Sequence, residues 1–283
     1  MNSPGLAPAT GSRPAGRTGK GSNRRSVWQL VSLVAANLYA LPLLKHFPYP
    51  FLHCYACPLA IGACPVGTVQ YFLGLGRVPL FTLGGLGAVG AWWGRRTCGW
   101  LCPFGFIQEL GYRLGRRLRL PPVRVSNRHS WTRWAVTVLL VMLLPLAVHE
   151  PWFCKLCPAG TLEAGVPWLA LDPALRAMAG PLFGVKLAIL VGLAVAVLVV
   201  KRPFCRFGCP LGLFYGLANR FSRQHLEVDS RCTGCGWCRE LCPMEHEVWV
   251  DPRSSQCILC LECTRCRHVR LVSGGVPPTA KGE

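Results

Sequence analysis

Eight of the seventeen cysteines in this chain lie within residues 232–266, spaced to hold iron and sulfur. Cys232, Cys235, Cys238 and Cys242, followed by Pro243, form the run C-x2-C-x2-C-x3-C-P. In that run three thiolates wrap one cubane corner by corner and the fourth reaches a second site. Cys257, Cys260, Cys263 and Cys266 form a second run, whose last gap is x2 and which no proline follows. The crossed rule predicts one [4Fe-4S] cluster on Cys232, Cys235, Cys238 and Cys266, and another on Cys257, Cys260, Cys263 and Cys242. Structural zinc is the competing chemistry, because paired C-x2-C spacings also suit it. Zinc sites usually separate their pairs by a longer loop, so iron–sulfur ligation is expected.

The other nine cysteines fall at the ends of apolar stretches. Four begin the tetrapeptide Cys-Pro-x-Gly, at Cys64, Cys102, Cys157 and Cys209. Each has a cysteine upstream, at Cys57, Cys98, Cys154 and Cys205, with Cys54 left over. The copies pair as an internal duplication. Residues 64–70, Cys-Pro-Val-Gly-Thr-Val-Gln, parallel residues 157–163, Cys-Pro-Ala-Gly-Thr-Leu-Glu, and Cys98-x3-Cys102 parallels Cys205-x3-Cys209. Proline suits the first helical position, which puts each cysteine at an N-cap, where free N–H groups and the helix dipole favour an anion. Packed face to face, the halves would share an inner set, Cys98, Cys102, Cys205 and Cys209, and an outer set, Cys57, Cys64, Cys154 and Cys157, with Cys54 as alternate. These sets are expected to hold one or two further iron–sulfur clusters or metal–thiolate sites. The bland alternative is that they only cap helices or pack.

The elements that must carry these turns are membrane helices. The chain has 283 residues, 51% hydrophobic and only 15% charged, which points to membrane spans. Apolar stretches at 27–44, 78–93, 134–149 and 181–200 are each near spanning length, and a short helix is expected at about 66–76. The fold class expected is mainly α: four transmembrane helices as two parallel repeats, plus a small C-terminal ferredoxin-like α+β domain. The domain division is a disordered basic tail (1–26), a first membrane repeat (27–133), a second (134–225), the ferredoxin-like domain (226–272) and a C-terminal tail (273–283). Arg24-Arg25 faintly resembles a twin-arginine signal, but no cleavage site clearly follows.

The formal net charge is +19. Its basic residues cluster beside the apolar stretches, so anionic lipid rather than nucleic acid is the expected partner. Residues 1–26, 94–133 and Lys201-Arg202 are the basic segments. The positive-inside rule then places both termini, the central basic loop and the cysteine-rich tail on the cytoplasmic side of the cell's inner membrane. Helices at 103–120 and 210–222 are expected to lie in that interface, apolar on one side and Arg-bearing on the other. Gly84, Gly85, Gly87 and Gly90 would permit close helix approach.

Cys98-Gly-Trp-Leu-Cys-Pro-Phe-Gly-Phe-Ile-Gln-Glu, the second Cys-x3-Cys-Pro at Cys205 and the two tail arrays together resemble the membrane ferredoxin-type 4Fe-4S proteins. That group includes the C-terminal half of the nitrous-oxide-reductase regulator, the membrane subunit of the nitrate-reductase quinol dehydrogenase and a methylamine-utilisation counterpart. The resemblance covers roughly residues 27–270. It implies a polytopic protein with two tail clusters. It also implies electron exchange between quinol, or a cytoplasmic donor, and a partner respiratory enzyme.

Two other functions stay open: a transmembrane thiol–disulfide carrier using Cys54/Cys57 and Cys154/Cys157, and an assembly factor that reduces or delivers metal for a respiratory oxidoreductase. A quinone site is expected near His149-Glu150, at the outward end of the third span, where a proton acceptor is useful. His46 and His53 lie nearby in the other half. Ordinary interfacial histidines are the alternative.

Overall fold

The computed structural model describes residues 20–38, 45 and 47–274. It is mainly helical, with one small sheet. Five helices lead from the N-terminus to the centre: α1 (Lys20–Ala36), α2 (Pro65–Gly74), α3 (Leu80–Trp93), α4 (Arg96–Trp100) and α5 (Pro103–Arg117). Among the described residues two helices are long and apolar enough to cross a bilayer, Asn127–Val148 and Pro181–Val199. The second of the four expected spans, Leu80–Trp93, is apolar but shorter. It stops at Gly94, whose φ of 58° only glycine adopts freely. The first expected span is also shorter than predicted: its helix ends at Ala36, and residues 39–44 lie outside those described.

That first helix begins at Lys20, inside the segment expected to be disordered. Its anchor is tertiary. Buried Arg25 donates to Gly99 O at 3.0 Å and to Glu262 at 3.3 Å, and pairs with Glu109. Gln29 and Ser32 on the same helix reach the carbonyls of Gly99 and Leu101.

Proline shapes two of the later helices. Asn127–Val148 passes through a π-helical stretch, Thr137–Leu143, just ahead of Pro145. Thr161–Gly165 is likewise π-helical just ahead of Pro167. Proline lacks the N–H for the i→i−4 bond, and its ring crowds that carbonyl, so the preceding turn widens.

Helix–helix contacts run between the two halves of the chain. Gly111 and Gly115 on α5 lie against Val197 and Leu198 of Pro181–Val199. Gly90 on α3 lies against Ala218 and Tyr215 of helix Pro210–Ala218. The second amphipathic helix thus ends at Ala218, short of the expected 222. Of the four glycines expected to allow close approach, Gly90 does so, while Gly84, Gly85 and Gly87 face open space.

The cysteine-rich tail is closed by strands β1 (Gln224–Val228) and β2 (Val269–Ser273), antiparallel, with Gln224 opposite Ser273 and Val228 opposite Val269. It docks on the helices through backbone. Arg95 donates to Ser255 O at 2.8 Å, Trp100 to Leu259 O at 3.0 Å and Asn219 to Cys257 O at 2.8 Å. A Cβ on Gly99 would stand 2.4 Å from Ile258 O, so only glycine allows this approach. Gly99→Ala is expected to cost about 1–3 kcal/mol by overpacking. Limited proteolysis should show residues 224–274 released earlier than in the wild type; an unchanged cleavage pattern would contradict the contact.

Candidate iron–sulfur sites

Each Cys-Pro-x-Gly turn starts a helix. Cys64, Cys102, Cys157 and Cys209 are all N-caps with extended backbone and proline directly after them. Gly105 N donates to Cys102 Sγ at 3.4 Å, and Gly212 N to Cys209 Sγ at 3.3 Å. These are the free N–H groups of a helix beginning, which stabilise negative charge.

The turns from the two halves meet. Cys98, Cys102, Cys205 and Cys209 are all buried in one core cluster and lie near one another. The outer turns meet likewise, with one difference in membership. A Cβ on Gly67 would lie 3.5 Å from Cys154 Sγ and 3.6 Å from Cys64 Cβ, and one on Gly160 would lie 3.4 Å from Cys54 Sγ and 3.9 Å from Cys157 Cβ. Cys54 therefore stands with Cys64, Cys154 and Cys157, where Cys57 was expected. Cys57 Sγ turns to Asn37 Oδ1 at 3.4 Å. Neither upstream cysteine of the first half repeats the x2 gap of Cys154 and Cys157: the gap to Cys64 is nine residues from Cys54 and six from Cys57, and the geometry favours Cys54, the alternate.

The charges around the two sets differ. Arg95, Arg133 and Arg202 are each 1% exposed or less and lie around the inner sulfurs. Arg95 and Arg202 stand three residues before Cys98 and Cys205 and cross over reciprocally. Arg95 donates to Cys205 O at 2.9 Å, Arg202 to Cys98 O at 3.0 Å. Arg202 also pairs with Glu109 at 2.7 Å. Arg133 Nε and Nη1 are buried with no hydrogen-bond partner. Buried cations demand a nearby anion, and an anionic thiolate cluster at the inner set fits that demand. Around the outer set the acidic neighbour is instead Glu163, whose Oε2 lies 3.2 Å from His53 Nδ1.

In the tail the two runs adopt one wrap. Gly234 (φ 65°) and Gly236 (φ 79°) sit between the first cysteines, and Leu259 (φ 46°) and Leu261 (φ 63°) occupy the equivalent places of the second run. Two leucines held in the left-handed region cost about 1–2 kcal/mol each, strain of the kind that clusters at functional sites. Cys238 lies near Cys232, Cys235 and Cys266; Cys263 lies near Cys257, Cys260 and Cys242. The short final gap is spanned by a 3₁₀ turn, Cys263–Arg265, where the first run has helix Trp237–Leu241. Burial, then neighbouring thiolates, push Cys238 up to about 12. Burial also pushes Cys260 up to about 12. Such thiols stay protonated unless a cation holds them as thiolates, which suits a metal-cluster cradle.

The expected quinone residues lie elsewhere. His149 caps its helix in a left-handed conformation, with Nδ1 2.7 Å from Gly74 O. Glu150 pairs with Lys155 at 2.6 Å. His46 lies outside the described residues. A largely apolar cavity of about 560 Å³ opens instead beside the outer cysteines, lined by Lys45, His53, Tyr55, Thr68 and Tyr71 among others. Sequence reasoning missed this cavity and the inner arginines. The constant three-residue offset of Arg95 and Arg202 from their cysteines was the available signal.

Comparison with known proteins gives the following. A 4Fe-4S binding domain family matches residues 76–121, 130–170 and 182–228. An uncharacterized protein of Methanocaldococcus jannaschii is 32% identical over 60% of this chain and 67% of its own. The methylamine utilization ferredoxin-type protein MauN of Methylorubrum extorquens is 29% identical over 77% of this chain and 68% of its own. The regulatory protein NosR of Pseudomonas aeruginosa is 31% identical over 62% of this chain but only 24% of its own. No solved structure matches significantly.

Arg202→Met would leave Glu109 with one buried partner fewer and is expected to cost about 3–5 kcal/mol. Thermal unfolding should find part of that loss recovered in Arg202→Met/Glu109→Gln. Equal stability of Arg202→Met and the wild type would show that the pair carries no such burden.

Proposed function

We propose, since the chain belongs to the ferredoxin-type 4Fe-4S protein family, that it is a membrane electron conduit with four iron–sulfur sites in a row. The row would run from the tail's Cys232/Cys235/Cys238/Cys266 set through Cys242/Cys257/Cys260/Cys263 and the inner set to the outer set. The inner set is the observation that carries this proposal: four thiols from two helix beginnings, ringed by three buried guanidiniums. A bound cluster supplies reversible one-electron exchange. The chain supplies the thiolates, the helix N-termini that stabilise them and the buried positive charge that offsets theirs.

Two repeats of one pattern underlie this proposal: outer turn, apolar helix, inner turn. The duplicated Cys-Pro-x-Gly turns and the reciprocal arginines support it. The basic segments argue for a multi-pass arrangement with the tail and inner set cytoplasmic and the cavity outward. Quinol is the substrate proposed for that cavity. Its apolar walls suit a ring, while Tyr55 and Tyr71 are among the polar residues that line it. A respiratory redox enzyme is the proposed partner at the other end.

One observation weighs against the thiol–disulfide reading. A thiol–disulfide carrier would pair Cys54 with Cys57, yet Cys57 faces Asn37.

Iron and acid-labile sulfide analysis of the full chain tests this. About sixteen iron atoms per chain are expected for four cubanes, falling by about four in Cys98→Ser/Cys205→Ser and by about four in Cys54→Ser/Cys154→Ser. A wild-type count of about eight, unchanged in both variants, would reduce the protein to an anchored ferredoxin.

A further inference from the structure

Six positions after the cysteine of each Cys-Pro-x-Gly turn stands a residue that reaches into the opposite half. The four are Gln70, Gln108, Glu163 and Tyr215. Gln108 is 2% exposed and Gln70 1%. Gln108 Oε1 accepts from Phe204 N at 3.2 Å, and its Nε2 donates to Cys205 Sγ at 3.3 Å and to Phe104 O at 3.3 Å. Gln70 repeats this: Oε1 accepts from Phe153 N at 3.0 Å, and Nε2 donates to Cys154 Sγ at 3.2 Å and to Val66 O at 3.5 Å. Each carboxamide thus grips the residue before a cysteine and that cysteine's sulfur together, while tied to its own helix four residues back.

The orientation of each amide is forced. A backbone N–H can only donate, so the amide oxygen must face it, and the NH2 then faces sulfur. The remaining members hold the same register with other chemistry. Glu163 Oε2 accepts from Cys54 N at 2.6 Å and, if ionised, has no hydrogen to give the sulfur. Tyr215 is fully buried beside Cys98 and Thr97.

We propose that Gln70 and Gln108 are positioning residues that clasp the opposite half and set the reduction potentials of the outer and inner sites, each through one hydrogen bond to a cluster thiolate. The inference rests on the four-site proposal and goes beyond it by naming residues that hold no metal. A donor aimed at a ligand sulfur stabilises the more negative, reduced state and raises the potential. The clasp also ties the register of the two halves to the sulfur positions, since losing it frees both a backbone N–H and a ligand.

The test is a redox titration of the full chain followed by electron paramagnetic resonance, with iron content measured on the same samples. In Gln108→Leu, at the wild-type midpoint of the inner site, the oxidised-to-reduced ratio of one signal should rise by about threefold or more, because a sulfur hydrogen bond is lost. The other signals should hold still, and Gln70→Leu should move a different signal. If Gln108→Leu does not load iron, Gln108→Met, unbranched and of similar length, is read the same way. Unmoved potentials with iron retained, or an equal shift of every signal, would overturn the clasp. Absence of iron at the membrane cysteines in the wild type would instead defeat the underlying four-site proposal.

Discussion

Buried positive charge is the constraint on which the rest of the structure depends. Arg95, Arg133 and Arg202 sit out of water around four cysteines, and nothing in the hydrophobic effect puts them there. A guanidinium is costly to bury unless an anion answers it. Glu109 answers Arg202 and Arg25; Arg133 Nε and Nη1 have no hydrogen-bond partner among the described residues. Negatively charged sulfur between helix beginnings is the natural counterpart. The arginines also fasten the halves together, since Arg95 and Arg202 each bond the carbonyl of the other half's upstream cysteine.

The same contacts bring the tail to the helical core. Arg95 spans from Cys205 O to Ser255 O, so one side chain touches both the inner turn and the loop before Cys257. Cys242 and Cys260 belong to the same buried cluster as the inner cysteines. Cys238, Cys257, Cys263 and Cys266 pack in a neighbouring one. A row of sulfur sites through contiguous packing is what stepwise electron transfer requires, and the outer set differs in kind. Its acidic neighbour is Glu163, beside His53, and a cavity opens next to it. The inner site is built for charge compensation and burial, the outer one for access.

Much of this was legible in the residues. The repeated Cys-Pro-x-Gly names the helix starts because proline and N-cap chemistry are local. The glycines at 234 and 236 mark left-handed positions for the same reason. Long-range effects were not legible. The start of α1 at Lys20 depends on Arg25 meeting Glu109 and Glu262, contacts that no local propensity encodes. The choice of Cys54 over Cys57 depends on how residues 47–63 fold back, with Tyr49 OH bonding the N–H groups of Ile61 and Gly62. The spacing was no guide, because six or nine residues separate Cys64 from Cys57 or Cys54 where two separate Cys157 from Cys154. The quinone expectation at His149 followed from its place at a helix end, where that histidine is the C-cap residue.

Locating iron directly is the sharpest measurement. An anomalous difference map at the iron edge, from crystals of the full chain grown without oxygen, should show four compact peaks: two in the tail, one between Cys98, Cys102, Cys205 and Cys209, and one between Cys54, Cys64, Cys154 and Cys157. Peaks confined to the tail, with the membrane cysteines bare, would contradict the account.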